Sequence, residues 1–364
     1  DLDLSKEQYA AIVSAFMIAY AVGQSLSGKF MDWVGTRIGF TITIFLWSIS
    51  CALHGLARGI LSFSVFRALL GVSEAGNWPG ATKSNAEWFP IRERAFAQGI
   101  FNSGASLGAV ISAPLIAFLY IYLGWKVTFI IVGGLGLLWI FPWLYINRAV
   151  PEKHPWMTEE EKEYILTGQK TNAEKNNSGI DRVVPWTELI TYKQSWSVIV
   201  SRFFLDPIWW MFITWLPIYL FERFGFDIKQ IGMFAWVPYV GAAAGSLLGG
   251  WFSGNLIYKG WTINNARKLS IIVGGIIMFP GFIFSAFAST PLSAVLLIAV
   301  VLFGFQVSIN NIQTLPSDFF SGKSVGTLAG MGGTSAVVGV LIMIWLVPVI
   351  TKISYIPFFL MCAL

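Results

Sequence analysis

The sequence predicts an all-α, polytopic membrane protein, and two observations carry this prediction. Of the 364 residues, 55% are apolar and only 12% are charged, with a mean hydropathy of +0.67. A soluble domain typically carries about 25% charged residues, so this much apolar surface exceeds what a soluble core absorbs. Hydrophobic segments of about 20 residues, long enough to span a bilayer, recur along the whole chain.

Eleven such segments follow one another, five before a long polar stretch and six after it, the last cut off at Leu364. We place them at about 8–29, 38–57, 60–81, 95–120, 125–146, 195–221, 230–253, 269–288, 291–314 and 325–349, and from 353 onward. This predicts an N-terminal helix bundle over 1–146, a linker over 147–194 and a C-terminal helix bundle over 195–364. Five segments before the linker and six after it suggest two bundles of six transmembrane helices, both incomplete. We therefore expect that a first transmembrane helix and most of the last are missing from this sequence.

The basic residues predict the orientation. Sixteen of the 24 Lys and Arg fall on the side that holds the linker, six fall on the other side, and Arg67 and Arg202 lie within spans. Lys and Arg are enriched in cytoplasmic loops, so the linker is predicted to be cytoplasmic, with a short amphipathic helix over 155–168. The net charge of +5 reflects this bias, and we expect no nucleic-acid partner.

Residues that typically form catalytic, metal or cofactor sites are not grouped in this sequence. Cys51 and Cys362 lie in apolar runs, and the two histidines are isolated. SGKS at 321–324 is no P-loop, since Ser317 stands where that motif needs its first glycine. The sequence therefore predicts a protein that is not an enzyme, with no cofactor and no metal.

Two charged pairs interrupt the apolar segments. Arg67 and Glu74, in FRALLGVSEAGNWPG, are seven residues apart and so share a helix face. A guanidinium can grip a carboxylate with two hydrogen bonds, and a carboxyl in a low-dielectric cavity can gain and lose a proton near neutral pH. We interpret Arg67 as an anion anchor and Glu74 as a proton-coupling group, the alternative being a structural salt bridge. Arg202 and Asp206, four residues apart, predict either a structural pair or a second proton-coupling pair.

Uncharged polar residues in the spans are candidates for binding sugar hydroxyls, because amides and phenols offer hydrogen bonds there. Interhelical hydrogen bonding is an equally weighted alternative. The candidates are Tyr20, Gln24, Asn102, Asn310, Asn311 and Gln313. Trp209 and three other tryptophans are weaker candidates for a sugar-ring contact.

GKFMDWVGTRIG, 28–39, in the first cytoplasmic loop resembles the G-x-x-x-D-x-x-G-x-R signature of the major facilitator superfamily. Gly28, Asp32, Gly35 and Arg37 carry the match. An acid and a base at a helix junction can latch one conformation and release it in another, so these four residues are the predicted gating motif. An ordinary polar turn is the alternative.

FRALLGVSEAGNWPG (66–80) and EWFPIRERAFAQGIFNSGASLGAVISAP (87–114) resemble the anion:cation symporter branch of that superfamily, and within it bacterial hexuronate transporters. The resemblance implies two six-helix bundles with alternating access and proton symport of a sugar acid. It assigns the carboxylate to Arg67 and the proton to Glu74. It also implies a multi-pass, monomeric protein of the bacterial cytoplasmic membrane, with a small-molecule sugar acid, protons and the lipid bilayer as partners.

The same resemblance places two small-residue faces, Gly104–Gly108 and Gly241–Gly245–Gly249, on helices that cross between the halves. Two other functions stay open at this stage. One is symport of another organic anion such as an aldonate, and the other is a membrane sensor that binds a sugar acid.

Overall fold

The described part of the protein is helical and contains no strand. The computed structural model describes residues 6–175, 184–320, 324–351 and 354–363. Three parts of the sequence discussed above lie outside these ranges: residues 176–183 of the predicted linker, most of SGKS, and two of the lysines used to predict the orientation, Lys323 and Lys352. The helices are α1 (Lys6–Val34), α2 (Thr36–Leu53), α3 (Ile60–Glu74), α4 (Asn77–Trp88), α5 (Ile91–Ile146), α6 (Glu159–Lys175), α7 (Trp186–Leu189), α8 (Lys193–Phe224), α9 (Ile228–Phe234), α10 (Val237–Tyr258), α11 (Ile263–Ala286), α12 (Pro291–Phe319), α13 (Val325–Ile350) and α14 (Ile356–Ala363). The prediction of an all-α protein is confirmed.

Seven helical stretches within the described residues are long and apolar enough to cross a membrane. They are Ala11–Val34, Thr36–Leu56, Phe118–Ile146, Lys193–Phe224, Ile263–Ala286, Pro291–Phe319 and Val325–Val347. Two further predicted spans, 60–81 and 230–253, are helical but interrupted. Pro79 and Pro238 lie in the first turn of the helix after each interruption, where a residue without an N–H cannot bond to the turn before it.

α5 covers two predicted spans at once. The backbone leaves helical geometry at Gly124, which has φ +74° and ψ 167°. Glycine tolerates this positive φ because it has no Cβ. The break separates the predicted segments 95–120 and 125–146.

Spatial proximity divides the chain into two compact units. Unit 1 comprises Asp1–Pro90, Ser112–Ile199 and Pro316–Val337, and unit 2 comprises Ile91–Ile111, Val200–Leu315 and Val338–Leu364. The predicted domains 1–146, 147–194 and 195–364 follow the order of the chain, and their boundaries stay a prediction.

In unit 1, α1 approaches both α3 and α13 closely. A Cβ at Gly71 of α3 would meet the backbone nitrogen of Tyr20 at 3.1 Å. On α13, a Cβ at Gly326 would meet the carbonyl oxygen of Gly28 at 2.7 Å. Only glycine allows these backbone distances, which set the positions of the functional side chains on α1 and α3.

In unit 2, glycines bring α10 close to both α12 and α5. Gly241, Gly245 and Gly249 of α10 pack against α12, and Gly104 and Gly108 of α5 face open space. α5 instead approaches α10 through Gly99 and Gly250, where a Cβ would meet backbone atoms of Ser246 and Ala95 respectively. Small-residue spacing marks a face for close packing but carries no information about which helix will occupy it.

The linker helix begins later than predicted. α6 starts at Glu159 because Thr158 and Glu161 form a capping box. The Thr158 N–H donates to Glu161 Oε2 at 2.9 Å, and the Glu161 N–H donates to Thr158 Oγ1 at 3.2 Å. Within unit 1, Gln169 Nε2 then donates to the carbonyl oxygen of Glu87 at 2.9 Å, which holds the linker helix at the end of α4.

Candidate functional site

Arg67 lies in the middle of α3 and is half-buried. Its Nε atom is buried and has no hydrogen-bond partner in the part of the chain that the structure describes. Glu74 lies two turns further on, about 10 Å along the helix axis, which is too far for an ion pair within the helix. A buried guanidinium N–H without an acceptor is unfavourable, so this side chain is suited to receiving an anion from outside the protein.

Glu74 is the last residue of α3, directly before the interruption that Pro79 causes. Its carboxylate forms no hydrogen bond or ion pair with any described residue. Arg67 is nevertheless near enough to interact with it electrostatically. The two groups are therefore available separately, one for an anion and one for a proton.

Tyr20 and Gln24 lie one turn apart on α1, Tyr20 where Gly71 brings α3 close and Gln24 against α13. Both are buried, with 6% and 1% exposure. Tyr20 stacks on Phe16, with ring centroids 5.5 Å apart. Gln24 presses against Gly333 of α13, and its Oε1 accepts no hydrogen bond from the described residues.

An aromatic wall encloses the same region of unit 1, and sequence reasoning gave it no role. His54 is fully buried, donates from Nδ1 to the carbonyl oxygen of Ser50 at 2.7 Å, and stacks on Phe129 at 5.0 Å. The ring centroid of Phe63 lies 5.3 Å from that of the histidine, with the two rings edge-on. His54 and the half-buried Cys51 both lie within electrostatic range of Arg67.

Arg202 and Asp206 form a closed pair in unit 2. Nε and one terminal nitrogen of Arg202 each donate to a different carboxylate oxygen of Asp206 at 3.0 Å. The side chains are 8% and 12% exposed. This fork-to-carboxylate geometry uses both binding positions of the acid, which agrees with the structural role considered for the pair.

The predicted hydroxyl-binding amides of unit 2 bind one another. Asn102 Nδ2 donates to Asn310 Oδ1, and to Gln313 Oε1 at 2.9 Å. Gln98 Nε2 donates to the same Gln313 oxygen at 3.0 Å. Asn310 Nδ2 donates to the carbonyl oxygen of Ser246 at 2.7 Å. The four amides therefore join α5, α10 and α12, which is the interhelical alternative.

Asn311 lies on a different face of α12 from this network. Its Nδ2 donates to the carbonyl oxygen of Val307 at 2.9 Å, and its Oδ1 is buried without a partner among the described residues.

The gating motif centres on Asp32. Its carboxylate accepts hydrogen bonds from the N–H groups of Gly326 and Thr327 at 3.0 and 2.6 Å, and from Thr327 Oγ1 at 2.6 Å. These groups belong to the first turn of α13, whose positive dipole end attracts the carboxylate. Gly28 permits the close approach, and Gly35, with φ +79°, makes the turn between α1 and α2. Arg37 is exposed.

Lys83 and Glu87 complete this cluster, and sequence reasoning missed both roles. Lys83 Nζ lies 3.3 Å from Asp32 Oδ1 and 3.4 Å from Glu87 Oε1. Thr36 Oγ1 donates to Glu87 Oε2 at 2.5 Å. The i,i+4 spacing of Lys83 and Glu87 was a usable signal for their pairing, but nothing local connects either residue to Asp32.

No group of three or more His, Cys, Asp or Glu is arranged to hold a metal ion within the described ranges. The site residues provide ion-pairing and hydrogen-bonding groups.

Comparison with known proteins identifies the family. The sequence profile of the Major Facilitator Superfamily matches residues 1–349. The hexuronate transporter of Escherichia coli (strain K12) is 33% identical over 345 residues, covering 92% of this chain and 77% of the relative. The galacturonate transporter of Dickeya chrysanthemi is 34% identical over 285 residues, covering 78% and 81%.

The fold is similar to a solved structure. The human organic anion transporter MFSD10 (TETRAN) aligns with a TM-score of 0.70 at 16% identity, covering 99% of this chain and 84% of that chain. Because the relatives are transporters, two predictions are confirmed. The protein is a multi-pass transporter of the bacterial cytoplasmic membrane, and it is not an enzyme. The chain belongs to the Major Facilitator Superfamily.

Proposed function

We propose that this protein imports a sugar acid, with a hexuronate as the first candidate, together with protons. The observation that carries the proposal is the buried Nε of Arg67, which has no hydrogen-bond partner among the described residues. The names of the hexuronate and galacturonate relatives support the substrate class, since both substrates carry a carboxylate and several hydroxyls. The protein works as a monomer by alternating access.

In this proposal Arg67 binds the substrate and Glu74 binds the proton. Arg67 binds the substrate carboxylate with two parallel hydrogen bonds. Glu74 carries the proton, because its carboxyl is free of other partners among the described residues. Their separation lets both cargoes bind on one helix without neutralising each other directly.

The cluster of Asp32, Lys83 and Glu87 acts as the gate of unit 1. The carboxylate of Asp32 holds the first turn of α13 against α1 through three hydrogen bonds. Breaking them releases α13, and the charged partner Lys83 stabilises the closed arrangement. The substrate crosses only when this contact alternates between formed and broken states.

The test is competition for uptake of labelled glucuronate into vesicles that contain the purified protein, with a proton gradient imposed. Glucuronate and galacturonate should compete, while glucose lacks the carboxylate and lactate lacks most of the hydroxyls, so both should compete weakly. Glucose competing as well as glucuronate would refute the acidic-sugar proposal. Stronger competition by an aldonate would move the substrate to that class. Sugar-acid binding without any uptake would favour the sensor.

A further inference from the structure

The side chain of Gln306, in the middle of α12, is buried without its expected hydrogen bond. It is 4% exposed, and its Oε1 accepts no hydrogen bond from the described residues. Buried polar groups in native proteins nearly always have a partner, so an exception calls for a donor that the protein itself does not supply. Sequence reasoning did not select this residue, although it is the same residue type as its neighbours in the amide network.

Gln306 lies on the same face of α12 as the amide network. Asn310 and Gln313 follow it by four and seven residues, so all three side chains lie on one face of α12. Asn310 and Gln313 are hydrogen-bonded to Asn102, whereas Gln306 lies one turn beyond the last of these bonds. The hydrogen-bonded network therefore stops at Asn310 in this direction, and Gln306 has an unused acceptor one turn away.

The residue before Gln306 in α12 belongs to an aromatic cluster within unit 2. Phe305 stacks on the half-buried Trp209, with ring centroids 6.2 Å apart and an interplanar angle of 13°. Tyr239 meets Trp209 edge-on, with ring centroids 5.7 Å apart. One turn of α12 therefore carries both an amide and part of an aromatic cluster, and a sugar needs hydrogen bonds for its hydroxyls and rings for its C–H faces.

We propose that Gln306 binds hydroxyl groups of the transported sugar acid and determines specificity, and that Asn102, Asn310 and Gln313 hold the helices together. Oε1 accepts from one hydroxyl, and Nε2 can donate to the neighbouring one, so the amide fits a pair of adjacent hydroxyls. This inference rests on the proposed function, because it requires a polyhydroxylated substrate.

The experiment compares Gln306→Met with Gln313→Met as a matched control in the full-length protein. Each variant loses an amide and keeps a similar shape. Thermal unfolding without substrate is measured first, and then the Kd for glucuronate and for its monodeoxy analogues. Gln306→Met should unfold at the same temperature as the parent protein or higher, since it removes an unpartnered buried amide. Its Kd for glucuronate should rise roughly tenfold, as expected for the loss of hydroxyl hydrogen bonds.

The analogues identify the contact. The parent protein should bind at least one monodeoxy analogue more weakly than glucuronate, and Gln306→Met should bind the two equally. Gln313→Met should unfold at a lower temperature, because it opens the amide network, while the folded fraction keeps the discrimination between the analogues.

Three results would overturn the inference. Unchanged glucuronate affinity in Gln306→Met would mean that bound water alone satisfies the amide. A lower unfolding temperature with intact discrimination would make Gln306 structural. If the parent protein binds no sugar acid at all, the proposed function itself fails, and this is visible before any variant is made.

Discussion

Two arginine–acid pairs of this protein differ in spacing by three residues, and the difference decides whether the two charges meet. Arg202 and Asp206 are four residues apart and close on each other with two hydrogen bonds of 3.0 Å. Arg67 and Glu74 are seven apart, do not pair, and leave the arginine Nε without a partner among the described residues. Side chains four residues apart on a helix can satisfy each other's charge, whereas side chains seven apart lie too far from each other to form an ion pair.

The strongest test of this comparison is Arg67→Lys against Arg202→Lys. Arg67→Lys should weaken substrate binding roughly a hundredfold although the charge is kept, because an ammonium cannot form two parallel hydrogen bonds with one carboxylate. Its thermal stability should change little, since none of the described residues accepts a hydrogen bond from the Arg67 Nε. The measurement is the upward shift of the unfolding temperature that glucuronate produces.

Arg202→Lys is the matched control. It should lower the stability of the substrate-free protein and leave binding by the folded fraction intact. An undiminished glucuronate-induced shift in Arg67→Lys would show that Arg67 is not the carboxylate anchor.

Glu74→Gln tests the other half of the open pair. The amide mimics the protonated acid and cannot release a proton, so the variant should retain exchange of labelled for unlabelled substrate. It should lose accumulation against a concentration gradient when a pH difference is imposed. Both can be measured in the same proteoliposomes. Continued accumulation would transfer the coupling role to another acid, with Asp206 the next candidate.

Asp206→Asn tests the closed pair. Removing one charge leaves Arg202 buried without its counter-charge and should lower the free energy of unfolding by about 3–5 kcal/mol. The double variant Arg202→Met/Asp206→Leu should recover most of that loss, because two apolar side chains leave no buried charge. Thermal and denaturant unfolding measure both. A stable Asp206→Asn protein that exchanges substrate but cannot accumulate it would instead give this pair a coupling role.

Asp32→Asn should have the smallest effect, because its one amide oxygen still accepts a hydrogen bond from the first turn of α13. Gly326 and Thr327 bond to different oxygens of Asp32, so the amide keeps the bonds of one oxygen and loses those of the other together with the ion pair to Lys83. We expect faster hydrogen exchange at the first turn of α13 and a several-fold slower transport rate. Arg37→Gln is the control, since that side chain is exposed. An equally large change in exchange there would contradict the assignment of the latch to Asp32.

The sequence alone determined the features that depend on position along one helix. The helical class, the placement of Arg67 and Glu74 on one face of α3, and the spacing of Arg202 and Asp206 follow from composition and from the 3.6-residue period. The interruption of the third predicted span, 60–81, was less visible, although Pro79 is its local cause.

Tertiary structure alone decided which groups are satisfied. Several side-chain amides lie on α5 and α12, and only the packing of those helices with α10 shows that Asn102, Asn310 and Gln313 are engaged while the oxygen of Gln306 is not. In the same way, Lys83 reaches Asp32 across 51 residues of sequence, and Gly241, Gly245 and Gly249 of α10 meet α12 while Gly250 meets α5. The physical reason is that helix geometry is set by bonds between near neighbours in the chain. Hydrogen-bond satisfaction depends on side chains that only the packing of distant helices brings together.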